Sequence, residues 1–332
     1  MSRILCTKER RCETTEIQLE GSASFAIRHF PTKGLVRRKM KVLNFGSLNL
    51  DYVYKVEHMV QAGETLAAKS VEIFCGGKGL NQSIALARAG ISVFHAGMIG
   101  REGEMLLKMC KDNGVDVSYI RQTRGQSGHT VIQVDESGEN CILLYGGANQ
   151  EMTREFAEEV LEHFGQGDMI VLQNEINLTG YLIDRAYEKR MKIVLNPSPF
   201  GKSIADFDMA KVSLFFINEI EGEQMTGEKD PEMILDSIRN MYPDAGVVLT
   251  LGESGSIYQD KNKRIRQSSV LTKAVDTTAA GDTFTGYFLS SIINGQDEAQ
   301  ALFMAAKAAS VAVSKKGAAA SIPYLQEVPE KK

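Results

Sequence analysis

From Met40 onward, short apolar runs alternate with longer segments whose apolar residues recur every three or four positions. The runs "KVLNFG", "SVFHAGMIG", "DMIVLQ", "KIVLN", "SLFFIN" and "GVVLTLG" predict buried strands, and "TREFAEEVLEHF" and "TGYLIDRAYEKR" predict the helices between them. This rhythm predicts an α/β fold on a doubly wound, mainly parallel sheet. Two segments break it. Residues 51–75 are extended and lack a helical stripe, and residues 129–145, "HTVIQVDESGENCILLY", alternate on either side of an Asp-Glu-Ser-Gly turn, which predicts a hairpin. Strands that cannot join the parallel core are expected beside it, as a small β-sheet lid over the carboxyl ends of the main strands, where open α/β sheets bind ligands. Residues 1–39 show no sustained period, and a second methionine, Met40, directly precedes the first strand. They are expected to be a disordered extension or a non-native start, leaving 40–332 as the folded domain. As a basic targeting arm they fit poorly, because Glu9, Glu13, Glu16 and Glu20 interrupt the positive charge.

Composition narrows the function classes. Of 332 residues, 43% are hydrophobic, enough for a substantial core. No apolar run approaches the roughly 18 residues of a membrane span or forms a secretory signal, so a soluble, cytoplasmic protein without a membrane partner is expected. The five cysteines (Cys6, Cys12, Cys75, Cys110, Cys141) are scattered without a C-x-x-C pair, which argues against a disulfide framework and a zinc site. The net charge is −4; residues 1–39 hold nine Lys/Arg against four Glu, so they contribute +5 and the rest carries −9. An acidic body gives no broad surface for nucleic acid.

Two glycine-rich turns hold the candidate chemistry. In "CGGKGLNQSIALARAG" (Cys75–Gly90), Lys78 is followed by Gly79 rather than a hydroxyl residue, so the phosphate-binding G-x-x-x-x-G-K-[ST] pattern fails. "GMIGREG" does not match G-x-G-x-x-G, and H-E-x-x-H and G-x-S-x-G are absent. Gly76, Gly77 and Gly79 let backbone approach a ligand, and Asn81 lies in the first helical turn. Lys78 reads equally as a hydroxyl-binding residue and as a solvated lysine. In "VDTTAAGDTFTGYFLSSIING", Phe284, Phe288 and Ile292 predict a helix starting near Asp282, whose first N–H groups lack partners. Small side chains at Ala279, Ala280 and Gly281 would let such N–H groups converge on a phosphate. Asp282 beside them reads as a general base for a hydroxyl attacking that phosphate, or as a helix cap.

Together, "GGKGLNQSIALARAG" and "DTTAAGDTFTGYF" resemble the paired signatures of the ribokinase family of carbohydrate kinases. Further motifs follow in order: "GSLNLD", "AGET", "YGGAN", "LNPSP", "NEIEGEQMTG", "LTLGESG" and "KKGAAASIP". The resemblance runs from about Met40 to Pro323 and implies phosphoryl transfer from ATP to a sugar hydroxyl, with O5 of D-ribose as the leading acceptor. A deoxyribose, nucleoside or ketose kinase is the neighbouring alternative, and a catalytically silent sugar-binding regulator a more distant one.

The resemblance also implies residue roles. Asn49 and Asp51, expected at the end of the first strand, match positions that bind the sugar, as do Gly77, Lys78, Asn81 and Glu175; Glu175 also reads as a surface carboxylate. Asn218 and Glu221 match an N-x-x-E element that orders Mg²⁺ near the phosphates. Asn218, Thr250, Gly252, Gly255 and Gly281 match nucleotide positions, and Asp282 the base. Asp276, Thr278, Ala312, Gly317 and Ser321 match a K⁺ site beside the anion-binding turn, although Asp276 also reads as a strand-end turn residue. The family implies a homodimer through the lid. The chain departs from the family pattern at "QSGHT" (Gln126–Thr130), at Glu102 where Asp is usual, and at "AAAS", which lacks a proline. His129 falls in the first of these, and is read as a lid-surface residue rather than a ligand.

Overall fold

Glycine and polar turns hold the apolar runs of the chain to strand length, and those strands assemble into a sheet buried on both faces. The computed structural model describes residues 40–201, 204 and 206–329. The expected extension over residues 1–39 lies outside the described residues. The first half comprises β1 (Val42–Phe45), β2 (Asn49–Lys55), β3 (Ser70–Gly76), α1 (Lys78–Arg88), β4 (Val93–Ile99), α2 (Glu104–Asp112), β5 (Asp116–Gln122), β6 (Gly128–Val134) and β7 (Asn140–Tyr145). The second comprises α3 (Arg154–Leu161), β8 (Met169–Gln173), α4 (Thr179–Glu188), β9 (Lys192–Asn196), β10 (Leu214–Asn218), α5 (Glu219–Thr226), α6 (Pro231–Met241), β11 (Gly246–Thr250), β12 (Ser256–Gln259), β13 (Arg264–Gln267), α7 (Ala280–Ile293) and α8 (Glu298–Val313).

Nine strands form one sheet in the order β13-β12-β11-β10-β9-β8-β1-β4-β5, parallel except for the antiparallel β12 and β13 at one edge. Alternate side chains enter different cores. Val42 and Val171 pack with Leu80, Ile84, Phe284 and Phe288 of α1 and α7. Leu43, Ile170 and Leu172 pack on the other side with Phe156, Val160, Leu182 and Ile183 of α3 and α4. Burying a Leu or Phe stabilises by about 2 kcal/mol, so this two-sided burial is the main term holding the layers together. No helix among the described residues is long and apolar enough to cross a membrane.

From β1 the chain order runs one way through β4 and β5 and the other way through β8 to β11, so the crevice that binds ligands in doubly wound sheets opens beside β1. The remaining strands make a second sheet in the order β3-β2-β6-β7, with β2 antiparallel to β3 and parallel to β6, and β6 antiparallel to β7. It departs from the carboxyl end of β1 and returns through β3 into α1. Asn49 and Asp51, expected to end the first strand, instead lie on the second: β1 stops at Phe45. The chain turns at Gly46, where a Cβ would run into the Gln173 side chain and the Gly79 Cα.

Candidate active site

The residues expected from sequence to meet a sugar converge where β1, β2 and α1 meet. Asn49 is buried, and its Oδ1 accepts from Asn149 Nδ2 at 2.7 Å, leaving its own amide hydrogens available. Two positions along β2, Asp51 lies on the same face and accepts the Thr130 hydroxyl at 2.6 Å. Burial pushes the Asp51 carboxyl up to about 6, against the Thr130 hydrogen bond and with a smaller push from the Glu175 charge. Glu175 is not a free surface carboxylate. Its Oε2 accepts the Lys78 N–H at the start of α1 at 2.9 Å and also the Ser47 hydroxyl. Burial raises the Glu175 carboxyl, and the Lys78 charge opposes the rise. Lys78 is likewise no simple solvated lysine: burial works against its charge, but Asp282, Glu175 and Glu221 together outweigh it and raise the pKa. Gly77 supplies the N-cap of α1 at φ 93°, a conformation costly for any side chain.

His129 belongs to the opposite face of the small sheet. It is paired with Leu50, whereas Thr130 is paired with Asp51, so alternation points the imidazole away from the face that carries Asn49 and Asp51. There its ring lies 5.0 Å from that of Tyr145 and 6.0 Å from that of Tyr52.

At the second glycine turn the helix cap is Ala279, not Asp282. Ala279 adopts the left-handed conformation (φ 60°), and α7 runs from Ala280. The Asp282 carboxylate is buried and accepts Asn81 Nδ2 on Oδ2 at 3.0 Å and Gln82 Nε2 on Oδ1 at 2.9 Å. These bonds exclude the capping role. The expected convergence of N–H groups is also narrower than the small residues suggested: Ala280 donates to Thr277 O at 3.2 Å. Gly281 and Asp282 supply the first-turn N–H groups that helix geometry leaves without an internal acceptor.

Beyond this turn lies a cavity of about 390 Å³, lined by Thr250, Gly252, Gly255, Ala280 and Gly281 among others. Four of the five nucleotide positions expected from sequence therefore share one cavity; Asn218 is not in its lining. Gly255, at φ 100°, has no room for a Cβ against the Gln267 carbonyl. The walls missed by sequence reading are polar at Ser256, Ser269 and Thr272, and apolar at Val270 and Leu271 and, on α8, at Ala306, Ala309 and Val313. For the α8 residues the signal was their spacing, which puts one stripe of that helix against the cavity.

Asn218 and Glu221 form a reciprocal cap on α5: Asn218 Oδ1 accepts the Glu221 N–H at 2.8 Å, and Glu221 Oε2 accepts the Asn218 N–H at 3.0 Å. That arrangement fixes the carboxylate while Oε1 stays outside the cap, which suits a hard cation held largely by phosphates and water. Among the described residues no three His, Cys, Asp or Glu side chains cluster as a metal cage. Asp276 ties two loops together, accepting the Thr278 N–H on Oδ1 and the Gly317 N–H on Oδ2, both at 2.9 Å. Partial burial raises its carboxyl, but these bonds prevail and hold it below the usual range. Ala312 already lends its carbonyl to the Lys315 N–H at 3.1 Å, and the Ser321 hydroxyl donates to Ala318 O at 2.9 Å. The remaining oxygen lone pairs around Asp276 fit a monovalent cation in chemistry.

Sequence reading assigned no role to Asn149, Thr130, Gln82 or Gln173, although the first lies in the "YGGAN" motif. The pattern of apolar and polar positions marks none of the four as partners, because each meets its partner only in space.

A model of the pfkB family carbohydrate kinases matches residues 39–325. The chain is 36% identical over 299 residues to a ribokinase of Staphylococcus aureus, an alignment covering 87% of this chain and 98% of that protein. To a ribokinase of Haemophilus influenzae it is 33% identical over 304 residues, covering 89% and 98%. The structure of Arabidopsis thaliana ribokinase complexed with ribose and ATP matches with a TM-score of 0.77 at 27% identity, covering 88% of this chain and 98% of that one.

Proposed function

The chain belongs to the pfkB family of carbohydrate kinases, and from that premise we propose that it transfers the γ-phosphoryl group of ATP to O5 of D-ribose, giving ribose 5-phosphate and ADP. As an ATP-dependent sugar kinase it needs a polyol pocket, a nucleotide cavity and a base between them. The observation that carries the reading is Asp282: a buried carboxylate, fixed by two amide donors, at the start of the helix whose N-terminal residues line the 390 Å³ cavity.

Asp282 takes the proton from the O5 hydroxyl as that oxygen attacks phosphorus in line, and the bond between the γ-phosphorus and the oxygen retained by ADP breaks. Each Asp282 oxygen keeps a lone pair beyond its amide bond for this proton. The N–H groups of Gly281 and Asp282 stabilise charge on the migrating group, and Lys78 adds a positive charge on the sugar side. Asn49, Asp51 and Glu175 orient the sugar by its hydroxyls. Mg²⁺, near Asn218 and Glu221, neutralises phosphate charge when bound. K⁺, held by Asp276 with oxygens of Thr278, Ala312, Gly317 and Ser321, would stiffen the turn that carries Ala279.

The small sheet acts as a lid, and its edge supports a homodimer: Ile142, Leu143 and Tyr145 of β7 are exposed. The free thiols of Cys75, Cys110 and Cys141 suit a reducing cytoplasm. An assay of ADP release across ribose, deoxyribose, fructose, adenosine and uridine tests the reading. Ribose is expected to have the highest kcat/KM, and a tenfold preference for any other acceptor overturns the assignment.

A further inference from the structure

The Asp282 carboxylate is the end of a buried chain of amides that runs across the two central strands. Gln82 Nε2 donates to Asp282 Oδ1 at 2.9 Å, and Gln82 Oε1 accepts from Gln173 Nε2 at 2.7 Å. The second Gln173 hydrogen goes to Asn44 Oδ1 at 3.0 Å. Asn44 Nδ2 in turn donates to the Gly79 carbonyl at 2.7 Å and to the Ser83 hydroxyl at 2.8 Å. Ser83 Oγ lies 2.7 Å from Nδ1 of the buried His95. Gln82, Gln173, Asn44, Ser83 and His95 are each 0% exposed.

The orientation of every amide follows from the carboxylate. Ionised Asp282 has no proton to give, so Asn81 and Gln82 must present their NH₂ groups to it. The Gln82 carbonyl must then accept, and Gln173 is the group that supplies the hydrogen. Asn44 accepts from Gln173 and therefore donates to Ser83, whose hydroxyl is left to donate to His95. A neutral imidazole closes the sequence, consistent with burial driving His95 down to about 4 against the pull of the Gly46 backbone.

This is an expensive way to fill space. A buried amide needs each of its bonds, and Oε1 of Gln173 and Oδ1 of Asn81 have no protein partner. Apolar side chains of the same volume would fill the layer without that cost. What amides provide and apolar groups do not is directional hold: Gln82 is fastened to β8 and, through Gln173, to β1, and these are the strands from which the sugar-side loops depart. Asn81 and Gln82 point in different directions from successive positions on α1, so together they fix the carboxylate plane by one donor on each oxygen.

We propose that Gln82, itself held by Gln173 and Asn44, is a positioning residue for phosphoryl transfer: it sets the orientation of the Asp282 carboxylate toward the attacking hydroxyl. This rests on Asp282 being the base. Gln82→Met removes the donor at nearly constant volume. It is expected to lower kcat by about 10-fold to 100-fold, the range for a charge-assisted hydrogen bond, while KM for ribose and for ATP stays within about 3-fold. In an Asp282→Ala background the same substitution has nothing to position, so the residual kcat should not fall further. Should Gln82→Met fail to fold, Gln173→Met tests the same chain by loosening Gln82, with a several-fold loss that likewise vanishes in Asp282→Ala. Normal kcat in the folded variant, or an equal loss with and without Asp282, overturns the positioning role. A near-normal kcat for Asp282→Ala alone instead overturns the base assignment, so the two failures are distinguishable.

Discussion

Asn149 Nδ2 donates to Oδ1 of Asn49 at 2.7 Å, while Asn149 Oδ1 accepts the Leu48 N–H at 3.0 Å. One buried amide thereby fixes both the backbone entering β2 and the side chain proposed to meet the sugar. Gly128 leaves room for this, since a Cβ there would occupy the space of both amides. Asn149→Ala leaves two buried polar groups unpaired and is expected to cost about 2–4 kcal/mol of stability. In the folded fraction KM for ribose should rise at least about 10-fold with a smaller change in kcat, measured by denaturant titration and steady-state kinetics.

Asp51 predicts a pH dependence. Its ionised form is the one proposed to accept sugar hydroxyls, and burial pushes the carboxyl up to about 6. KM for ribose should therefore rise as pH falls through about 6. Stability runs the other way. The folded pKa lies above the usual 3.8, so the folded state binds the proton more tightly, and this group's contribution is full below about pH 4 and lost as pH rises through about 6. Asp51→Asn removes the buried charge and should raise the Tm at pH 8 by at least about 2 °C while weakening ribose binding. A lower Tm at pH 8 would contradict the desolvation account.

The loop tie at Asp276 predicts an ion effect. Activity is expected to be higher in K⁺ than in Na⁺ at equal ionic strength, and Asp276→Asn should remove most of that preference. Equal rates in the two salts for the unaltered protein would eliminate the cation site and leave Asp276 as the clasp between Thr278 and Gly317.

Leu143 predicts the assembly. It is 70% exposed on an edge strand beside Ile142 and Tyr145, and Leu143→Glu places a charge in that apolar strip. Light scattering should find a dimer for the unaltered chain and a monomer for the variant. A monomer in both cases would refute association through the small sheet.

Six strands of the large sheet, β1, β4 and β8 to β11, were legible because a parallel sheet covered on both faces demands near-continuous apolar runs; β5, β12 and β13, at or beside the sheet edges, lack such runs and were not read from the sequence. The sequence also determined that Asp282 follows a turn of small residues at a helix start, and that Gly255 and Thr250 recur beside short strands. Local composition suffices for such features because helix starts and tight turns are made by neighbours in the chain. Tertiary structure decided what those residues do. Only in the fold does Ala279 take the cap, freeing the Asp282 carboxylate for Asn81 and Gln82, which lie about 200 residues earlier. Only pairing across strands puts Thr130 beside Asp51 and turns His129 to the other face. Side-chain amides leave little trace in a hydrophobic pattern, and their partners are chosen by distance in space. The residues that hold the site therefore had to be found in three dimensions.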